Sequence, residues 1–224
     1  MLVKTRGIVL RFTRFGDTSI ITSVFTERNG LQSFLVKGIR SAGSRSGEGR
    51  TRMALFQPLT ILDLVIYQRD TANLQHVREV RCLHPYQNIH GNPVREAIAF
   101  FLTELLNKAL NEQSEPEVMY QFLETELIRL DQTREGLEHF HLGFMLSLSR
   151  QLGFGPQTAE EITGGRVLPQ RLSFSLEQLL AGHPHELDFE QRREVLGILI
   201  QFFRDHVVNF GTMKSVEVLR EILH

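Results

Sequence analysis

Ten cations fall on strand-like and loop-like stretches early in the chain: Lys4, Arg6, Arg11, Arg14, Arg28, Lys37, Arg40, Arg45, Arg50 and Arg52. Phe12, Phe15 and Phe34 are interleaved with them. Ammonium and guanidinium groups bind phosphates and release condensed counterions, and aromatic faces stack on unpaired bases, so this mixture has the chemistry of a nucleic-acid surface. The competing reading is a solvated surface over a core that takes the phenylalanines. Alternation along the strands assigns Phe12 and Phe34 to that core. From Arg28 to Arg52 six like charges stand against one acid, Glu48, and repel one another unless a polyanion is bound.

Other chemistries find less support. Nine histidines include His139-x-His141 and His183-Pro-His185. Residues two apart on a helix point to different faces, so the first pair cannot chelate one ion, and the second reads as a solvated loop. Glu124 with Glu126 and Glu160 with Glu161 lack a flanking pattern that would mark an acid/base pair. The glycines of residues 38 to 49 lack the Lys-Ser/Thr that closes a phosphate-cradling loop. No catalytic residue and no cofactor or metal site is expected. A single cysteine, Cys82, excludes an intrachain disulfide and fits a reducing cytoplasm. No apolar run approaches the roughly 20 residues that span a bilayer, so a soluble, untargeted chain without a membrane partner is expected.

The elements that must position these groups divide the chain in two. Residues 1–80 hold 12 Lys/Arg against 6 Asp/Glu and residues 81–224 hold 13 against 20, so a net charge of -1 conceals a front of +6 and a rear of -7. A basic module points to a polyanionic partner and an acidic one to different company. Val3 to Phe12, Ser19 to Thr26, Leu31 to Lys37, Leu55 to Tyr67 and Leu74 to Val80 read as strands, with turns at Phe15-Gly16-Asp17 and Arg28-Asn29-Gly30. Five short strands imply a small closed barrel, of which the OB-fold is the expected member. Residues 38–52 are Gly/Ser-rich, carry Arg40, Arg45, Arg50 and Arg52 and have no hydrophobic period, which predicts a basic loop.

Beyond Val80 the period becomes helical. Asn92-Pro93 opens a helix with apolar residues at i, i+3, i+4 spacing; others are expected over Pro116 to Leu130, Gly136 to Leu152, Phe189 to Phe210 and Ser215 to Leu223. The segment 153–175 reads as an irregular insertion, and whether it holds a strand pair around Gly164-Gly165 is open on sequence alone. The fold class is therefore α+β multidomain: a five-stranded OB-fold barrel over 1–80, then an all-α domain over 81–224.

Several short runs, none specific alone, resemble the RecO family of bacterial DNA repair and recombination mediators. They are Gly16-Asp17, Thr26, Gly30, Val36-Lys37-Gly38-Ile39-Arg40-Ser41, Gln57-Pro58-Leu59, Val77-Arg78-Glu79-Val80, Arg192-Arg193, His206 and Lys214-Ser215-Val216-Glu217-Val218-Leu219. The resemblance implies binding of single- and double-stranded DNA, annealing of complementary strands, and cooperation with RecR. It also implies contact with the acidic C-terminal tail of the single-stranded DNA-binding protein, SSB, so that RecA is loaded on coated strands. One departure is plain. Many relatives carry a four-cysteine zinc module after a Leu-Gly-x-x-Pro stretch, matched here by Leu152-Gly153-Phe154-Gly155-Pro156, and no cysteine follows. Residues 157–175 are expected to hold their shape by packing.

An acidic tail ending in an apolar side chain and a carboxylate needs a hydrophobic slot rimmed by cations. Phe202, Phe203, Val207, Val218 and Leu219 are candidates for the slot, and Arg204, Lys214 and Arg220 for the rim; each aromatic could equally pack the helical core. Two rival functions stand beside this one. The barrel alone would suit an RNA-binding protein of translation, and the enzyme-class rival is a metal-dependent nuclease with an unrecognised carboxylate site.

Overall fold

A computed structural model describes residues 1–39, 53–68, 72–110, 115–182 and 187–223. Arg40, Arg45, Arg50, Arg52, His183 and His185 lie outside the described residues. The chain forms two units, one of Met1–Gln87 with Leu110–Ile128 and one of Asn88–Ala109 with Arg129–His224.

In the first unit five strands close into a barrel: β1 (Leu2–Phe15), β2 (Ser19–Thr26), β3 (Gly30–Val36), β4 (Ile61–Tyr67) and β5 (Leu74–His84), in the order β1-β2-β3-β5-β4. β3 and β5 pair in parallel and the other neighbours antiparallel. This is the OB-type barrel expected from the five short runs. Period-two alternation sends Val3, Ile20, Val24, Phe34, Leu62, Leu64 and Ile66 inward, with Phe12 packed against them. Gly7 is required by close approach, since a Cβ there would meet Val24 Cγ1 at 2.6 Å. The Asn29-Gly30 turn forms as expected, with Gly30 at φ 62° and the Thr26 hydroxyl donating to Gly30 O.

The fourth run differs from its sequence reading. Residues 55–60 turn instead of extending, and β4 begins only at Ile61. Pro58 brings no N–H to a ladder, and Leu59 adopts φ 67° to donate to Val9 O and accept from the Tyr86 hydroxyl. Phe56 and Leu59 are thereby buried. β5 runs on to His84, past the boundary placed at residue 80 from sequence.

The helices are α1 (Pro93–Ala109), α2 (Pro116–Gln132), α3 (Phe140–Gln151), α4 (Ala159–Thr163), α5 (Gln170–Leu180), α6 (Phe189–His206) and α7 (Ser215–Ile222), with a single 3-10 turn at Leu137–His139 before α3. The front of α2, with Met119, Tyr120, Leu123 and Leu127 buried, belongs to the barrel unit. Residues 1–87 hold 13 Lys/Arg against 6 Asp/Glu, whereas residues 116–128 of α2 hold Glu117, Glu124 and Glu126 and no cation, so this helix sets acid against part of a basic barrel.

In the second unit α1 packs on α7 and α3 on α6, through Phe101, Leu105, Phe144, Leu199, Phe203 and Leu219, all nearly or fully buried. Segment 153–175 is helical at both sides of a loop, not irregular throughout. Thr158 caps α4 by accepting from Glu161 N, Gly164 closes it at φ 61°, and Ile162, Leu172 and Leu176 are buried.

Candidate nucleic-acid interface

Because side chains on a strand alternate, residues directly opposite one another across a sheet share a face. Phe12, Thr22, Phe34 and Gln75 are register partners across β1, β2, β3 and β5 and form an inner row. The next row, Thr13, Ile21, Leu35, His76 and Tyr67, therefore faces outward around the barrel. Ile21, Leu35 and His76 are half-buried there, and Tyr67 is 45% exposed. Arg11 pairs with Ser23 and Phe15 with Ser19 on the same outward parity of β1, and Lys37 follows β3, all three exposed. Leu35, Lys37, Tyr67, His76 and Val77 line an open groove.

The structure divides the described cations expected to bind phosphate into three sets. Arg11, Arg14 and Lys37 are exposed toward the β1–β2 hairpin end, where β3 finishes. Lys4 is exposed on the other side of β1, opposite Val65, which itself faces Glu79, and Arg28 is exposed in the β2–β3 turn at the far end of β3. Arg6 has carboxylate partners: Nε and Nη2 donate to Glu27 and Nη1 to Glu124 at 2.9 Å, with Tyr120 stacked at 5.1 Å. The Arg6 hydrogen bond is the main cause holding the Glu27 carboxyl below its usual range. Of the phenylalanines, Phe34 is in the core, Phe12 is half-buried against it and Phe15 is 52% exposed.

Tyr67 and His76 were missed in the sequence. They sit on β4 and β5, while Leu35 sits on β3, and it takes the antiparallel β4–β5 and the parallel β3–β5 pairings together to align them. The one local signal is an aromatic at a strand's end, outside the alternation that fills the core.

In the helical unit, Phe202 and Phe203 are buried, and with Phe154, His206 and Phe210 they form one ring cluster in which Phe154 and His206 stack at 5.0 Å. Val207 and Leu219 are buried too, and Val218 is exposed. Arg204 Nε donates to Gly211 O, while Lys214 is exposed. Arg220 lines a narrow apolar slot elsewhere, shared with Phe189, Arg192, Arg193, Leu196, Leu219, Leu223 and His141. No carboxylate is among these lining residues. His141 Nδ1, Arg192 Nε and Arg220 Nε are buried there without hydrogen-bond partners. Burial, then the charges of His139 and Arg192, lower the His141 pKa to about 3.

Comparison with known proteins decides the family. Residues 1–86 match the model for the N-terminal part of recombination protein O, and residues 90–187 match that for its C-terminal part. The chain belongs to the RecO family. It is 30% identical to the DNA repair protein RecO of Bacteroides fragilis and to that of Flavobacterium johnsoniae, each alignment covering 99% of both chains. The same protein of Porphyromonas gingivalis is 24% identical over 98% of both. RecO proteins are mediators of DNA repair and recombination, not enzymes, so the chemistry to be explained is binding. Among the described residues no group of three His, Cys, Asp or Glu could hold a metal ion, and no helix is long and apolar enough to cross a membrane.

Proposed function

We propose that this RecO protein binds single- and double-stranded DNA through the outward face of β1, β2 and β3 together with the β1–β2 hairpin end of the barrel, without sequence preference. The observation that carries this reading is the exposure of Arg11, Arg14, Phe15 and Lys37 toward one end of the barrel, where among the described residues no carboxylate pairs with the three cations. Annealing needs no catalytic group. A basic surface that lowers repulsion between two strands and leaves base edges free is sufficient. Arg40, Arg45, Arg50 and Arg52 extend the same positive charge in sequence directly after Lys37.

The test is salt dependence. Binding to single strands loses affinity with a log-log slope of about -0.7 per phosphate neutralised. Reversing Arg11, Arg14 and Lys37 together flattens that slope, and reversing Lys4 and Arg28 leaves it nearly unchanged. Equal slopes in all three proteins would move the site off this face.

In the same reading the helical unit engages RecR and the acidic tail of SSB, so that RecA is loaded on coated strands. The slot beside Arg220 supports the seat of the tail's carboxylate better than the Phe202–Phe203 cluster, because Arg192, Arg193 and Arg220 line it whereas those two rings are buried in the core. Debye screening over about 8 Å lets such a local site overrule the unit's net negative charge. Arg193→Glu with Arg220→Glu abolishes binding of a tail peptide while the fold is retained; full binding by that double variant excludes the slot.

A further inference from the structure

We propose that the groove between β3, β5 and β4 is a stacking subsite for an unpaired base, with Tyr67 as the platform and Lys37 as the phosphate contact, so that it favours single strands over duplex. The inference rests on DNA binding by the barrel and adds a residue and a selectivity to it.

Three observations carry it. Leu35, His76 and Tyr67 are direct register partners across three adjacent strands. Partners lie roughly 5 Å apart, so these side chains form one continuous strip about 10 Å wide, the size of a base and its sugar. Next, Tyr67 is 45% exposed, and among the described residues no ring stacks on it and no group hydrogen-bonds its hydroxyl. An unengaged aromatic face beside half-buried Leu35 and Val77 is an apolar platform open to solvent. Finally, among the described residues the groove's lining includes Lys37 and no acid, which suits a polyanion.

The barrel's closure narrows the class of ligand. At the groove itself Ser33–Leu35 of β3 are paired with Leu74–His76 of β5, and His76 with Tyr67 of β4, so a peptide cannot add there through its backbone. A ligand must be held by side chains, and a base offers a π face to Tyr67 while its phosphate meets Lys37. Every base has such a face, so the subsite is indifferent to sequence. In a duplex those faces are covered by neighbouring pairs.

The chain has no Trp and three Tyr, of which Tyr120 is buried and Tyr86 is hydrogen-bonded, so the part of the tyrosine emission that a stacked base quenches, and that Tyr67→Leu removes, belongs to exposed Tyr67. Titrating the full chain with a thymidine oligonucleotide quenches that emission; an abasic strand of equal length does not. Tyr67→Ala and Tyr67→Leu each weaken binding of the base-bearing strand about 5- to 100-fold, the usual effect of losing one stacked base. Both leave the salt slope, abasic-strand binding and duplex binding unchanged, and Tyr67→Phe retains wild-type affinity. Tyr67→Leu keeps apolar bulk on the strand, and equal melting temperatures separate a lost platform from a lost fold. Wild-type affinity in the Ala and Leu variants, or an equal loss on the abasic strand, overturns the subsite alone. Failure of the unmodified protein to bind any of these strands overturns the broader reading with it.

Discussion

Arg6 Nη1 and Glu124 Oε2 meet at 2.9 Å although 118 positions separate them in the chain. The pair ties the first strand of the barrel to the front of α2. With Glu27 on its other edge and Tyr120 over its plane, the Arg6 guanidinium is satisfied from within the unit. Removing it leaves two carboxylates, 20% and 18% exposed, without their cation. Arg6→Ala should lower stability by about 1–2 kcal/mol, a figure held down by solvent screening of a partly exposed pair. In urea titration the loss should appear in the midpoint, while the salt slope of DNA binding stays at its wild-type value. A flattened slope would return Arg6 to the phosphate-binding set.

The barrel was legible in the sequence because its signals are local. Alternation at Phe12 and Phe34 and the Asn29-Gly30 turn each depend on a few neighbouring residues, and all three were met. The partners of Arg6 and the Leu35–His76–Tyr67 strip were not legible, since they arise from closure and from a helix folding back, which leave no mark at fixed spacing. Leu55 to Ile61 misled for another reason: apolar residues that plug a barrel end look like strand, and the positive φ of Leu59 carries no compositional sign. Phe202 and Phe203 show the limit on site reading, because a ring that could line a slot and a ring that fills a core have the same helical spacing.

The segment after Pro156 should owe its stability to packing alone. Glu161 accepts from Gln157 N at 2.7 Å and donates its own N–H to the Thr158 hydroxyl, which fixes the start of α4, and Ile162 is 4% exposed. Truncating a buried isoleucine costs roughly 2–5 kcal/mol. Ile162→Ala is expected within that range, and treatment with a chelator should leave the melting temperature unchanged. Stoichiometric zinc whose removal lowers that temperature would contradict this account.

Glu104 of α1 serves as the N-terminal cap of α7. It accepts from Lys214 N at 3.1 Å, Ser215 N at 2.8 Å and Ser215 Oγ at 2.7 Å. Burial alone would raise its pKa, but the hydrogen bonds from Ser215 and Lys214, with the charge of Lys108, hold it below the ordinary 4.5. A depressed carboxylate stabilises the fold above its unfolded value and loses that contribution as pH falls through the folded one. Glu104→Ala should cost about 1–2 kcal/mol at neutral pH, as for a lost cap, and the deficit should shrink below pH 4.5. Urea unfolding at pH 7 and pH 3.5 measures both; a deficit constant with pH would mean that the charge is irrelevant.

His141 should make the helical unit sensitive to mild acid. Its imidazole is buried, edge-on to Phe101 at 5.9 Å, in a pocket whose other ionisable residues are Arg192, Arg193 and Arg220, with His139 close enough to add its charge. Burial, then the charges of His139 and Arg192, lower its pKa from 6.5 to about 3 in the folded chain. Between the two values the unfolded state binds a proton that the folded state refuses, so stability falls as pH falls, by up to about 1.4 kcal/mol per pH unit. Above pH 6.5 neither state is charged and the contribution is full. His141→Leu removes the proton acceptor and keeps an apolar side chain of similar reach. Unfolding free energies measured from pH 7.5 to pH 5 should therefore decline more steeply for the wild type than for the variant, and the two curves should run parallel above pH 6.5. Parallel curves throughout would mean that the ring takes up a proton in the folded state as readily as in the unfolded one, and would overturn this account.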